Sequence, residues 1–374
     1  MKPEQAISIN IKRIRASRGL SQTAAAKAAG ISRQAFIDIE KRKTKEPRVS
    51  NLQAIADALN VQIVDLLAEP PKLNTVRFRS NTIKTEKEKA VKQEYLIDAA
   101  YWLNNFNFLQ SVVGDERKYK LEPVFKKISN LKHDRPLKAA ELTRETLGLK
   151  ADEPICDIVG LMEKAGIKIR TLKFDLKQFF GFSISVSDGG PAIVVNSGEN
   201  VTIERQIFTV AHELGHLLLH PEAYEPSKTA ENKKEETDAN SFAGYFLIPR
   251  QAFEEKLEES YGLGFVERVL HIKRFFGVSY LVVLRRMAEV EGVDYGRLTA
   301  RFRCIYKDKH GQSLDSHKEP FGLEKPDFVE DYLSSLVRRA LEKDEITVSR
   351  AAEILNVPLI EMREIINSWA DMAA

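Results

Sequence analysis

The chain has 374 residues, of which 43% are hydrophobic, 8% aromatic and 30% charged. Such a composition builds packed cores and excludes a wholly disordered chain, and the length is that of two or three domains. The net charge of +3 hides an asymmetry: residues 1–70 carry 12 Lys/Arg and 7 Asp/Glu, a surplus of +5, while the remainder sums to −2, so only the small head is suited to a polyanion.

Residues 5–68 read as five short helices, closed by Pro70-Pro71. Ser21 stands at an N-cap position before Gln22, Gly30 ends that helix, and Ser32 caps the next. Two short helices around a glycine-containing turn make a helix-turn-helix. A long helix is expected over 84–113, with Ile97, Trp102, Leu103, Phe106 and Leu109 on its apolar positions. The charged stretch 115–150 is punctuated by Pro123 and Pro136 and contains a helix at 137–147. From 154 the pattern mixes α and β. A helix at 155–165 precedes strands at 167–172, 182–186 and 192–195, the last two separated by a turn at 187–191. A helix at 203–220 stops at Pro221, residues 222–234 are loop-like, and a helix at 235–247 ends at Pro249. Residues 250–374 are mainly helical, with Ser279 as an N-cap and a short strand at 301–306. The fold class is therefore multidomain, mainly α with a small α+β part. The expected boundaries are a head at 1–70, a helical linker at 71–150, a catalytic-type domain at 151–263 and a helical C-terminal module at 264–374.

No apolar run approaches the roughly 20 residues that span a bilayer. The first residues carry frequent charges and no apolar stretch of signal-peptide length. Cys156 and Cys304 cannot staple a chain of this size. They read as small buried hydrophobes in a reducing, cytoplasmic compartment.

The strongest chemical signal is Phe208-Thr-Val-Ala-His212-Glu213-Leu-Gly-His216. Histidines at i and i+4 share one helix face, about 6 Å apart along the axis, which suits two nitrogen ligands on one tetrahedral zinc. Glu213 is rotated away from that face and can take a proton from a water that the metal activates. Gly215 permits a neighbouring element to approach closely. His220 lies about 12 Å along the helix from His212, too far to join the same ion, and is assigned a structural or substrate-side role. The next helix offers Glu235, Glu236 and Asp238 as third ligands. Asn240 can hydrogen-bond the outer nitrogen of a ligand histidine. Tyr224, Tyr245 and Arg250 are candidate donors to an oxyanion. Zinc is the expected metal, with manganese as the alternative.

Two resemblances sharpen this reading. The head, with Leu20-Ser-Gln22, Gly30-Ile-Ser-Arg-Gln34 and Ile39-Glu40, resembles the XRE family of phage-repressor and Cro-type DNA-binding domains. The resemblance implies a lambda-repressor-like fold with residues 32–40 as recognition helix. Ser32, Arg33 and Gln34 then lie at its groove end, where arginine suits guanine and glutamine suits adenine. Gln22 is assigned to a phosphate or to bracing Gln34, and Arg42, Lys43 and Lys45 to phosphates. One head reads one half-site, so a homodimer on double-stranded DNA is expected.

The stretch 154–250 resembles the ImmA/IrrE metallo-endopeptidases through Pro154-Ile155, Gly166-Ile167, Ala192-Ile-Val-Val-Asn196, Arg205 to His212 and Phe242-Ala243 to Pro249. Glu236-Thr-Asp-Ala-Asn240 also resembles the Glu-x-x-x-Asp motif of gluzincins, although Asn replaces the usual Asp. By that likeness Glu236 is the third ligand. The family's known substrates imply a repressor- or antitoxin-type protein, or the chain itself, as the target. Zincins bind substrate along an edge strand beside the active-site helix, and residues 192–196 are the candidate strand. The alternatives are a regulator whose metal domain is a non-catalytic sensor, or a toxin–antitoxin component. Residues 347–357 resemble the first half of a helix-turn-helix, but Glu361 and Glu364 on the following helix argue against DNA contact. That module is assigned to dimerisation, sensing or substrate docking.

Overall fold

Serine caps set two of the head's helices in the computed structural model, which describes residues 3–77, 85–131, 133–174, 179–225, 232–314 and 318–371. The head contains α1 (Pro3–Ser17), α2 (Gln22–Ala28), α3 (Arg33–Glu40), α4 (Val49–Leu59) and α5 (Ile63–Leu67). The hydroxyls of Ser21 and Ser32 accept from the backbone N–H groups of Ala24 and Ala35, which satisfies donors the first helical turn leaves unpaired. Between these two helices Gly30 turns the chain at φ 63°, a value glycine adopts without steric cost. Ile11, Phe36, Ile55 and Leu66 are fully buried at the centre of the five helices.

Two compact units are present, one of residues 1–73, 90–116 and 331–374, the other of residues 74–89 and 117–330. The segments 71–150 and 264–374 are thus each divided between the units. The second unit begins with β1 (Val76–Arg77), and α6 (Glu86–Val113) follows in the chain. Then come α7 (Glu122–Ile128), α8 (Arg135–Thr146), α9 (Ile158–Lys164), β2 (Lys168–Leu172), β3 (Gly181–Ile184), β4 (Ala192–Asn196), α10 (Ile203–Leu219) and α11 (Lys233–Leu247). This unit ends with α12 (Arg250–Glu259), α13 (Phe265–Phe276), α14 (Tyr280–Glu291) and α15 (Tyr295–His310). Pro123 and Pro136 sit in the first turns of α7 and α8, where a missing N–H costs nothing.

The sheet order is β1-β3-β4-β2. β2 and β4 run parallel, while β3 is antiparallel to both β4 and β1. β4 is therefore interior, which corrects its expected role as the substrate-binding edge. Its unbroken Ala-Ile-Val-Val run is buried at every position, as a central strand requires. Among the described residues the sheet's edges are β1 and β2. One apolar core joins Ile169, Ile193 and Val195 of the sheet to Val210 and Leu214 of α10 and Phe242 and Phe246 of α11.

Two further expectations are corrected. Residues 301–306 alternate like a strand but lie within α15, where Leu298, Phe302 and Tyr306 share a buried face at four-residue spacing. Asp294 starts that helix by accepting from Arg297 N–H. Cys156 and Cys304 are exposed rather than buried; Cys304 rides the outer face of α15.

The chain closes with α16 (Tyr332–Glu342), α17 (Val348–Leu355) and α18 (Leu359–Asp371), which join the first unit. Arg13 of α1 pairs with Glu353 of α17 at 2.6 Å and stacks 4.2 Å from the Tyr101 ring of α6. Arg350 donates to Asn105 at 2.7 Å. Among the described residues no helix is long and apolar enough to cross a membrane.

Candidate metal centre

Thr202 caps α10 by accepting from Arg205 N–H, and the helix ends at His220 against Pro221. Within it the 3.6-residue repeat turns His212 and His216 to one side, and both are at least 95% buried. α11 then lies close along α10. A Cβ on Gly215 would stand 3.0 Å from Phe242 Cδ1 and 3.3 Å from Ala239 Cα, so only glycine lets the helices approach without displacement. That approach brings Glu236, one turn before Asn240, onto the histidine face.

The two histidine Nε2 atoms are 3.0 Å apart. Glu236 Oε1 is 3.3 Å from His216 Nε2, and its Oε2 is 3.5 Å from His212 Nε2. Two nitrogens on a tetrahedral zinc stand about 3.3 Å apart, so this donor set fits one such cation. Among the described residues these three form a group whose ligand atoms all lie within 4.8 Å of one another. The competing acids are engaged elsewhere: Glu235 pairs with Arg77 at 2.6 Å, and Asp238 stands 3.9 Å from His220.

The outer nitrogens are held as metal binding requires. Asn240 Oδ1 accepts from His212 Nδ1 at 3.0 Å, which leaves the Nε2 lone pair facing the site. His216 Nδ1 lies 3.0 Å from His220 Nδ1. His220 therefore stands behind a candidate ligand rather than facing a substrate. Burial holds His216 well below the usual histidine range and lowers His220 to about 3, which disfavours the charged form of both rings.

Sequence reasoning missed two contributors. Arg77 of β1 donates to Glu235 at 2.6 Å and to Glu236 at 3.1 Å. Burial opposes its charge, but these carboxylates hold its pKa above the ordinary value. Arg77 had no local signal, because it precedes His212 by well over a hundred residues in a stretch read as linker. Ser183 of β3 donates to Glu213 at 2.6 Å. Its signal was visible: a hydroxyl inside the otherwise apolar Phe182-Ser-Ile184. Ser183 has one proton, and it serves Glu213, so the Tyr224 hydroxyl 2.6 Å away is the donor to Ser183.

The oxyanion candidates are placed differently from expectation. Tyr224 is buried and committed to Ser183. Tyr245 lies under the Arg286 guanidinium, 4.3 Å from its ring centre. Arg250 pairs with Glu254 on its own helix at 2.8 Å. A cavity of about 240 Å³ lies against His212 and Glu213, with Phe180, Arg205, Phe208 and Asn240 among its walls.

In the head, Ser32 is the cap of α3, and Arg33 and Gln34 are exposed at its start. Arg33 donates to Thr23 at 3.1 Å and Gln34 to Asp38 at 2.8 Å. Gln22 does not brace Gln34 but donates to Glu40, which Arg15 also grips at 2.8 Å. Lys43 and Lys45 are exposed. Arg42 is half-buried, donating to Ser8 at 3.4 Å with Glu94 4.0 Å away, and so is turned inward from its expected phosphate.

Comparison with protein-family models matches residues 11–66 to the helix-turn-helix model and residues 162–288 to the IrrE N-terminal-like domain, a peptidase family. The chain is a fusion of these two domains. The helix-turn-helix match spans α2 and α3, and the IrrE-like match contains His212, Glu213, His216 and Glu236. No curated protein matches the chain.

Proposed function

We propose that this fusion is a DNA-binding transcription regulator whose IrrE-like domain is a metal-dependent endopeptidase, acting on a repressor- or antitoxin-type protein or on the chain itself. The observation that carries the reading is the convergence of His212, His216 and Glu236, with Glu213 beside them but outside the donor set. The two histidines and Glu236 would hold zinc, or manganese in its place. A cation bound there would polarise a peptide carbonyl and make water a better nucleophile near neutral pH. Glu213, fixed by the Ser183 hydroxyl, takes the water's proton and returns it to the leaving amine. The Tyr224 hydroxyl orients Ser183, while Arg77 balances the charge of Glu236. A homodimer presents two α3 helices to two half-sites in the major groove.

The test incubates the zinc- or manganese-loaded full chain with a partner XRE-type regulator and alone, with mass spectrometry of the products. New termini that chelator abolishes are expected. Intact chains under all conditions, combined with DNA affinity that changes on chelation, would replace the peptidase with a metal sensor.

Two substitutions probe the assigned groups. Asn240→Ala frees the outer nitrogen of His212 and is expected to weaken metal binding about 10–100-fold, measured by competition with a chromophoric chelator. Unchanged affinity would remove Asn240 from the site. Arg33→Ala is expected to cost about 1–3 kcal/mol on the preferred operator and relax specificity at one base pair. A uniform loss across all sequences in a binding-selection experiment would reassign Arg33 to a phosphate.

A further inference from the structure

A second cavity, about 580 Å³, shares Phe180, Arg205, Phe208 and Asn240 with the smaller cavity beside His212. Its far wall comes from Leu281, Val282 and Arg285 of α14 and Tyr295 of α15, helices that the metal centre does not use. The volume falls in the range of built ligand sites.

Charged side chains of both signs line it. Its three glutamates are already engaged. Glu204 pairs with Lys273 at 2.7 Å and accepts from Leu323 N–H at 2.9 Å. Glu289 is paired with the buried Arg286. Glu319 accepts from the Ser279 hydroxyl and, at 3.3 Å, from Tyr280 N–H. Burial also pushes Glu319 up to about 7, which removes part of its charge near neutrality.

Arg205 and Arg285 are positioned by ring contacts. Each guanidinium lies over an aromatic ring, Arg205 at 4.2 Å from Phe180 and Arg285 at 4.8 Å from Tyr295. Stacking uses the guanidinium face, and the in-plane N–H fork can serve a carboxylate as well as other partners. Phe208, Leu281 and Val282 add an apolar wall for the stem of a side chain.

We propose that this cavity is the specificity subsite for an acidic side chain of the peptide substrate, close to the bond cleaved, with Arg205 and Arg285 reading its carboxylate. The proposal rests on the peptidase reading but is tested by binding. The probe is a positional-scanning library of fluorescein-labelled heptapeptides. Anisotropy is read on metal-loaded full-length protein carrying Glu213→Gln, so that no peptide is consumed.

Glu or Asp at one position is expected to raise affinity about tenfold over Lys, an effect that shrinks at about 0.5 M salt. Replacing both Arg205 and Arg285 by Ala flattens the preference, and Arg285→Glu turns it toward Lys. The charge reversal is a readout that a merely structural role would not give. An absence of peptide binding, equal affinity for acidic and basic peptides, or a preference that survives both replacements overturns the subsite. Acidic preference without cleavage by the unsubstituted protein would support the subsite and sink the hydrolase. Cleavage without charge preference would do the reverse.

Discussion

Glu213→Gln is expected to lower the rate of peptide hydrolysis about 10²–10⁴-fold, the usual contribution of a positioned general base. Metal content and DNA affinity should stay at the level of the unsubstituted protein. The reason is geometric. Glu213 follows His212 directly but faces β3, where Ser183 donates to it, and it is not among the converging ligand atoms. Glutamine keeps the shape and can still bond Ser183, yet it cannot accept and return a proton. Product formation followed by mass spectrometry, with metal analysis of the same samples, decides the matter. If both proteins cleave equally fast, Glu213 is not the base. If the variant loses its metal, Glu213 is a ligand instead.

Lys273→Met is expected to destabilise the second unit by about 3–5 kcal/mol, the cost of leaving a buried charge without its partner. Lys273 of α13 and Glu204 of α10 have side chains only 2% and 0% exposed and meet at 2.7 Å. Methionine fills the space of the lysine stem but leaves the buried Glu204 carboxylate only the Leu323 N–H, its other oxygen having no hydrogen-bond partner among the described residues. For a unit of this size the unfolding midpoint should fall by roughly 6–20 °C in calorimetry. Adding Glu204→Gln should restore much of the loss, because removing both charges also removes the desolvation penalty. A shift under about 2 °C for the single variant would show that the pair is not needed for stability.

These expectations draw unequally on sequence and structure. His212, Glu213 and His216 were legible because one helical period fixes their mutual geometry whatever surrounds them. The head was legible for a similar reason: Ser21, Gly30 and Ser32 act within a few residues of themselves. Glu236 was narrower than its evidence. Spacing alone left Glu235, Glu236 and Asp238 open, and the close α10–α11 approach at Gly215 places Glu236 with the histidines. Residues 301–306 misled because a short alternating run matches a strand as well as a helix, and burial of Leu298, Phe302 and Tyr306 on one face settled it.

The chain's local chemistry therefore determined the helix-turn-helix, the paired histidines, the adjacent acid and three of the sheet's four strands, since each depends on caps, periods and turns of short range. Tertiary structure alone decided that β4 is interior, that His220 backs His216, and that Arg77 and Ser183 donate to Glu236 and Glu213. Those facts depend on strand order and on side chains brought together from distant positions, and no local pattern of residues encodes which remote partner will arrive.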